Sequence, residues 1–262
     1  MASNIAPKPT TDERLYRLIV VEDYTALSEQ AANVVEATID AAPGAAVTLP
    51  TGDTPRGMYE ELVRRIGSGS LDFTRIQFFC LDDYLGKGIN DETSLTRWLH
   101  DTFLGPAGLD GPSIHLIPST DPEPQQAARD YEAQIDALGG LELAVVGLGP
   151  NGHVGFNEPG SPIDSHTRIV DLTQESRDQN AQYYDSGESI PTQAMTVGLG
   201  TVLSARHIVL IVSGKGKSGI LREALEGPIT TDLPGSTLRT VGERLTVIVD
   251  RDAASQLSDP AS

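Results

Sequence analysis

Leu141 to Gly160 reads LELAVVGLGPNGHVGFNEPG, a short apolar run that ends in glycines and opens onto His153, Asn157 and Glu158. A run this short, rich in Leu and Val and bounded by turn residues, is predicted to be a buried strand of a parallel sheet. In an open α/β sheet ligands sit beyond the carboxyl ends of such strands, so an imidazole and a carboxylate there are candidates for chemistry. The plainer reading is a loop in which His153 caps a turn. One loop does not separate the two, and the rest of the chain has to decide.

Outward from this stretch the same pattern repeats. Strand-like runs at residues 17–22 (RLIVVE), 46–49, 76–81, 143–146, 208–212 and 245–249 alternate with helix-compatible sequence. Residues 27–39, for example, bring Leu27, Ala31, Val34, Val35 and Ile39 to one side of a helix. Such alternation implies parallel pairing through right-handed crossovers. The predicted fold is therefore α/β, a doubly wound, mostly parallel sheet of Rossmann-like type. With 262 residues, 39% of them hydrophobic, and no linker or repeat in view, one domain is expected over residues 12–253, with 1–11 and 254–262 as flexible tails.

Composition narrows the classes of function. Nineteen basic against 37 acidic residues give a formal charge of −18, which argues against nucleic acid as a partner. The apolar runs are strand-sized, too short to cross a bilayer, and the first residues, MASNIAPKPTTDE, lack the basic start and apolar segment of a secretory signal. The expectation is a cytoplasmic protein with no membrane partner; homo-oligomer formation stays open. The single cysteine, Cys80, lies in the run IQFFCL and reads as core filling, which excludes an internal disulfide framework. Only four of the basic residues are lysines. Few lysines amid excess acid fit either a salt-rich cytoplasm or an acidic mesophile.

Four strand ends carry polar groups. After 46–49 comes PTGDTPRG, where Gly52 permits a tight turn, Thr54 is a candidate helix cap and Pro55 suits a first helical position. Backbone N–H groups at such a helix start favour an anion, which makes Thr51, Gly52, Asp53 and Thr54 candidate ligands of a phosphate. After 76–81 come the paired acids Asp82 and Asp83; after 143–146 come Asn151, His153 and Glu158; after 208–212 comes SGKGKSG, with Lys215 and Lys217. The ordinary reading of each is a solvated turn. Two motif resemblances fail on context. Gly147, Gly149 and Gly152 spell G-x-G-x-x-G, but HVGFNEPGSP follows rather than a helix start, and Ile211 stands where a Walker A glycine belongs before Gly216. The spacing of His153, Glu158 and Asp82 matches no common metal motif, so no metal is expected.

Taken in order, LPTGDTP, LDDYLG, GLGPNGHVGFNEPGS, SHTR, PTQAMTVGLGT, SGKGKSGIL and TVIVD resemble the glucosamine-6-phosphate deaminase family over residues 49–250. GHVGFNEP is specific to that branch, since the related 6-phosphogluconolactonases share the glycine turns and the Gly-His pair but not FNEP. The resemblance implies a reaction of amino-sugar catabolism, in which glucosamine 6-phosphate and water give fructose 6-phosphate and ammonia without a cofactor. It also implies roles. His153, oriented by Glu158, opens the pyranose ring; Asp82 is the base at C2; Asn151 stands where many members have Asp. The turn at Gly52–Thr54 and Lys217 hold the phosphate.

Two positions depart from the family pattern. Asp53 replaces the usual Gly or Ser after the TG of the phosphate turn, and Gln182 replaces an Arg used for phosphate. A carboxylate beside a phosphate is repulsive unless it points away or pairs with a cation such as Arg56. These changes keep other readings open: a relative acting on galactosamine 6-phosphate, an unphosphorylated amino sugar or a 6-phospholactone, or a noncatalytic sugar-phosphate sensor. The joint presence of Asp82, His153 and Glu158 favours an enzyme, because binding alone needs neither a base nor a ring-opening pair.

Overall fold

Strands buried on both faces must be covered by helices above and below, and the apolar runs of this chain are arranged that way. The computed structural model describes residues 16–180 and 191–259. In chain order its strands are β1 (Arg17–Val21), β2 (Ala46–Leu49), β3 (Gln77–Cys80), β4 (Asp82–Tyr84), β5 (Ile114–His115), β6 (Leu141–Val146), β7 (Arg168–Asp171), β8 (Gln193–Thr196), β9 (His207–Val212) and β10 (Leu245–Asp250). The helices are α1 (Tyr24–Ala41), α2 (Arg56–Gly67), α3 (Leu95–Leu99), α4 (Pro124–Ala137), α5 (Gln174–Asn180), α6 (Leu199–Ser204), α7 (Ser218–Glu226), α8 (Pro234–Thr237) and α9 (Arg251–Ala254).

Among the described residues, seven strands form one sheet in the order β1-β10-β9-β6-β2-β3-β5, every pairing parallel. The fold is the doubly wound α/β type that the sequence predicts, and each of the six predicted runs is a strand with ends shifted by a residue or two. From β2 the chain builds outward through β3 to β5; it then returns to place β6 on the other side of β2 and builds the opposite way through β9 to β10. The winding reverses between β2 and β6. A crevice opens at the carboxyl ends of strands where the winding reverses, because the connections leave to opposite faces.

A second sheet, β4-β8-β7, is antiparallel and lies outside the predicted pattern. It corrects the placement of Asp82. The parallel strand stops at Cys80, Leu81 forms a corner, and Asp82 opens β4 opposite Thr196. The corner is held by the Val197 N–H donating to the Leu81 carbonyl at 2.9 Å, and the Tyr131 hydroxyl of α4 lies 2.8 Å from the Cys80 carbonyl. Cys80 is buried in the core, as its apolar run suggests. No helix among the described residues is long and apolar enough to cross a membrane.

Two further expectations are revised. Thr54 does not cap α2; Pro55 takes the cap position without a side-chain bond, and Tyr24 of α1 does the work instead. Its hydroxyl accepts from the Gly57 N–H at 2.8 Å and donates to the Asp53 carbonyl at 3.1 Å. The chain after residue 253 is not loose as far as it is described. Asp250 caps α9 by accepting from the Ala253 N–H at 2.7 Å, and this turns Ala254 and Leu257 back into the core. Ser258 then donates twice to the Glu226 carboxylate, at 2.7 and 2.9 Å. Leu257→Ala should lower the free energy of unfolding in urea by about 2 kcal/mol, the scale for truncating a buried leucine, whereas a free tail would leave the midpoint unchanged.

Candidate active site

The turns after β2, β3, β6 and β9 converge on one cleft of about 240 Å³. Its walls include Thr51, Gly52, Asp53 and Thr54 from the first turn, Asp82 and Tyr84 from β4, Gly149 and His153 from the loop after β6, and Lys217 after β9. Four separate stretches of sequence thus contribute side chains to one cleft. Gly52 has φ of +100°, the left-handed geometry that its turn requires. Asp53 lines the cleft as well; its side chain is 73% exposed, with a carboxylate oxygen 3.8 Å from the Arg56 guanidinium. That guanidinium lies 5.2 Å from the centre of the Trp98 ring, so the cation paired with Asp53 is itself seated on an aromatic face.

Asp82 is buried, and its Oδ1 receives no hydrogen bond among the described residues. Burial and the neighbouring Asp83 push its carboxyl up to about 7. Gly155 makes room for it, since a Cβ there would lie 3.0 Å from the Asp82 Oδ2. This carboxylate can exchange a proton near neutral pH, which an ordinary aspartate cannot.

His153 stands across the cleft on a loop tied down at several points. Its carbonyl accepts from the Gly149 N–H at 2.9 Å and its N–H donates to Asn151 Oδ1 at 3.1 Å. Nδ1 of the imidazole lies 3.7 Å from Glu158 Oε2 and 3.4 Å from the Ser176 hydroxyl. Glu158 Oε2 accepts from Asn151 Nδ2 at 2.9 Å and from the Thr173 hydroxyl at 3.3 Å. Asn151 and Glu158 thus stand behind His153 rather than on the cleft wall. Gly149 is obligatory for this packing, because a Cβ there would come within 2.2 Å of the ring. Deeper still, Asn157 donates to the carbonyls of Val154 and Val197 at 3.0 and 2.9 Å and accepts from Arg168 at 2.8 Å, which fixes the loop to β7 and β8. Lys217 donates to the Leu148 carbonyl at 3.0 Å, and burial holds its ammonium below the usual lysine range.

Comparison with known proteins agrees with this geometry. The family model described as glucosamine-6-phosphate isomerases/6-phosphogluconolactonase matches residues 22–247. The chain belongs to this family. Among its members, glucosamine-6-phosphate deaminase 1 of Bacillus subtilis is 38% identical over 91% of this chain and 98% of its own length. The glucosamine-6-phosphate deaminase of Lysinibacillus sphaericus is 40% identical over 84% of this chain and 93% of its own. A solved structure of a monomeric glucosamine-6-phosphate deaminase, 36% identical, superimposes with a TM-score of 0.86 over 91% of this chain and 99% of that one. The 6-phosphogluconolactonase of Trypanosoma cruzi, at 18% identity and a TM-score of 0.72, shares the fold.

Several residues of this family site escaped the sequence reading. Tyr84, Leu95 and Phe156 line the cleft, while Thr173 and Ser176 support the imidazole from behind. The only sequence signal for the last two is their spacing: the Thr173 hydroxyl accepts from the Ser176 N–H at 3.2 Å as the cap of α5. Gln182 lies outside the described residues. Burial pushes the His153 imidazole below its ordinary value; the Glu158 charge opposes that push and Lys217 adds to it. The signs give a test by NMR titration of the imidazole. Glu158→Gln should lower its pKa further and Lys217→Met should raise it, and no movement in either variant would remove both charges from its surroundings.

Proposed function

We propose that the chain is a glucosamine-6-phosphate deaminase, an enzyme that converts glucosamine 6-phosphate and water to fructose 6-phosphate and ammonia in the cytoplasm. The observation that carries the reading is a buried carboxylate, one oxygen of which receives no hydrogen bond among the described residues, lining the same cleft as an imidazole backed by a second carboxylate. A sensor that only bound the sugar would have no use for it.

Each step assigns a residue. His153 takes the proton from the C1 hydroxyl and delivers one to the ring oxygen as the C1–O bond breaks, giving the open aldehyde. Glu158, held by Asn151 and Thr173, orients the ring and stabilises its protonated form. Asp82 then removes the C2 proton while a proton of the C2 ammonium passes to the C1 carbonyl oxygen, which gives an enolamine, and Asp82 returns its proton to C1. The C2 iminium that results adds water and releases ammonia. Imidazole, carboxylate and positioning suffice, so no redox group enters. Thr51, Gly52 and Thr54 of the first turn and the Lys217 ammonium hold the phosphate, with backbone N–H groups as the donors of the turn. Arg56, within 3.8 Å of the Asp53 carboxylate, offsets its charge beside that site, which leaves the site open to a phosphorylated substrate.

Assays of ammonia and ketose release test this directly. Asp82→Asn should lower turnover by about a hundredfold or more, with sugar-phosphate binding retained; near-normal turnover would remove Asp82 from the role. Because the base acts ionised and its carboxyl titrates at about 7, kcat/KM of the wild type should fall tenfold per unit as pH drops below that value. Lys217→Met should raise KM for glucosamine 6-phosphate by about tenfold, the scale of one charge-assisted contact, while Asp53→Gly should change it far less. A reversed order would place the Asp53 carboxylate against the phosphate after all.

A further inference from the structure

Two aspartates stand side by side in β4, and the proton transfers use one of them. The other, Asp83, is fully buried and more heavily bonded than any other carboxylate near the cleft. Its Oδ1 accepts from the N–H groups of Tyr84 and Leu95 at 2.7 and 2.9 Å. Its Oδ2 accepts from the Ser94 hydroxyl at 2.6 Å and the Thr96 N–H at 3.0 Å. The Ser94 oxygen in turn accepts from the Arg97 N–H at 3.1 Å, which holds it in place. Three of the four partners are backbone N–H groups, which can only donate, so the arrangement favours the ionised form.

We infer that Asp83 is a fixed negative charge that sets the basicity of Asp82, a positioning residue that acts through its neighbour while tying the cleft wall to α3. The inference rests on Asp82 being the base at C2. Two adjacent carboxyls in one buried strand cannot both ionise freely, and their surroundings divide the roles. Asp83 has four donors; Asp82 Oδ1 has none among the described residues. Burial raises both, but donated hydrogen bonds oppose the rise at Asp83, whereas at Asp82 the charge of Asp83 adds to it. The other titratable groups around Asp82 do not replace this effect. Cys80 of β3 is pushed up to about 12, and Tyr59 of α2 and Tyr131 of α4 are raised well above their ordinary value, so all three stay neutral. His153 and Lys217 share the cleft, and burial moves both towards their neutral forms. The same hydrogen bonds give Asp83 a mechanical role, because Tyr84 and Leu95, whose N–H groups it holds, line the cleft.

Carboxyl NMR titration with pH–rate profiles tests the inference. In the wild type one buried aspartate should titrate near neutrality and a second at distinctly lower pH, and Asp82→Asn should abolish the near-neutral event. In Asp83→Asn, which keeps an acceptor but loses the charge, the acid limb of kcat/KM should move down by about one pH unit. Plateau turnover should fall a few-fold with the weaker base. Ser94→Ala removes one donor and leaves the charge, so it should leave the limb in place whatever it does to KM. A near-neutral titration that persists in Asp82→Asn would assign the mobile proton to Asp83 and overturn the inference. Loss of activity in Asp83→Asn with the limb unmoved would overturn it too, leaving a purely structural residue. Should Asp83→Asn fail to fold, the titrations of wild type and Asp82→Asn decide alone. Full turnover in Asp82→Asn would sink the proposed role of Asp82 in deamination, yet the NMR titration would still show which aspartate carries the charge.

Discussion

The carboxylate of Asp82 sits at a corner where the chain leaves a parallel sheet and joins an antiparallel one, with one oxygen receiving no hydrogen bond among the described residues. Leaving such an atom undonated costs on the order of 1–3 kcal/mol, and the structure holds it there only because the corner is fixed from several sides. The Leu81 carbonyl is bonded across to Val197, the Cys80 carbonyl to Tyr131, and the next carboxylate to the start of α3. Together these bonds leave the side chain no easy route to a donor. The cost is local, and it sits where reactivity is useful.

The rest of the site follows from where the winding reverses. With β2 and β6 adjacent, the turn carrying Thr51 to Thr54 and the loop carrying His153 leave neighbouring strand ends, and β3 next to β2 adds the corner with Asp82. The groups converge without any long excursion of the chain. Glycine then sets the closeness of approach: Gly149 admits the His153 ring and Gly155 admits the Asp82 carboxylate, at distances that any Cβ would close off.

Much of this was legible in the sequence, and the exceptions have physical causes. Buried parallel strands are continuous apolar runs, so β2, β6, β9 and β10 announce themselves, and polar residues beyond their ends mark the cleft. β4, β7 and β8 are three or four residues long and mix polar or charged with apolar positions; Asp-Asp-Tyr looks like a turn because its pairing partners lie far away in the chain. The α2 cap was misjudged for a similar reason. Thr54 has the local signature, but a hydroxyl from Tyr24, 33 residues upstream of Gly57, supplies the bond. Thr173 and Ser176 reach His153 and Glu158 through tertiary packing, which spacing along the chain does not encode. The stretch after residue 253 reads as a tail, yet Asp250 caps the short helix α9 at its start and Leu257, just beyond that helix, is buried.

Charge at the anion site is a local matter despite the acidity of the chain. The formal charge of −18 is spread over the whole surface, and at physiological ionic strength charges further away than about 8 Å are largely screened. What a phosphate meets is therefore the turn itself. There Asp53 is the one acidic side chain, and its pairing with Arg56, held on Trp98, makes that unit neutral. Since Tyr24 already occupies the Gly57 N–H, the anion is left to the N–H groups of the turn before the helix and to Lys217. Burial lowers the proton affinity of that lysine, and a dianion beside it would raise it again by favouring the ammonium. On the proposed role of Lys217, one ammonium and the N–H groups of a single turn are enough to make a phosphate site in a strongly acidic protein without a cluster of positive charge.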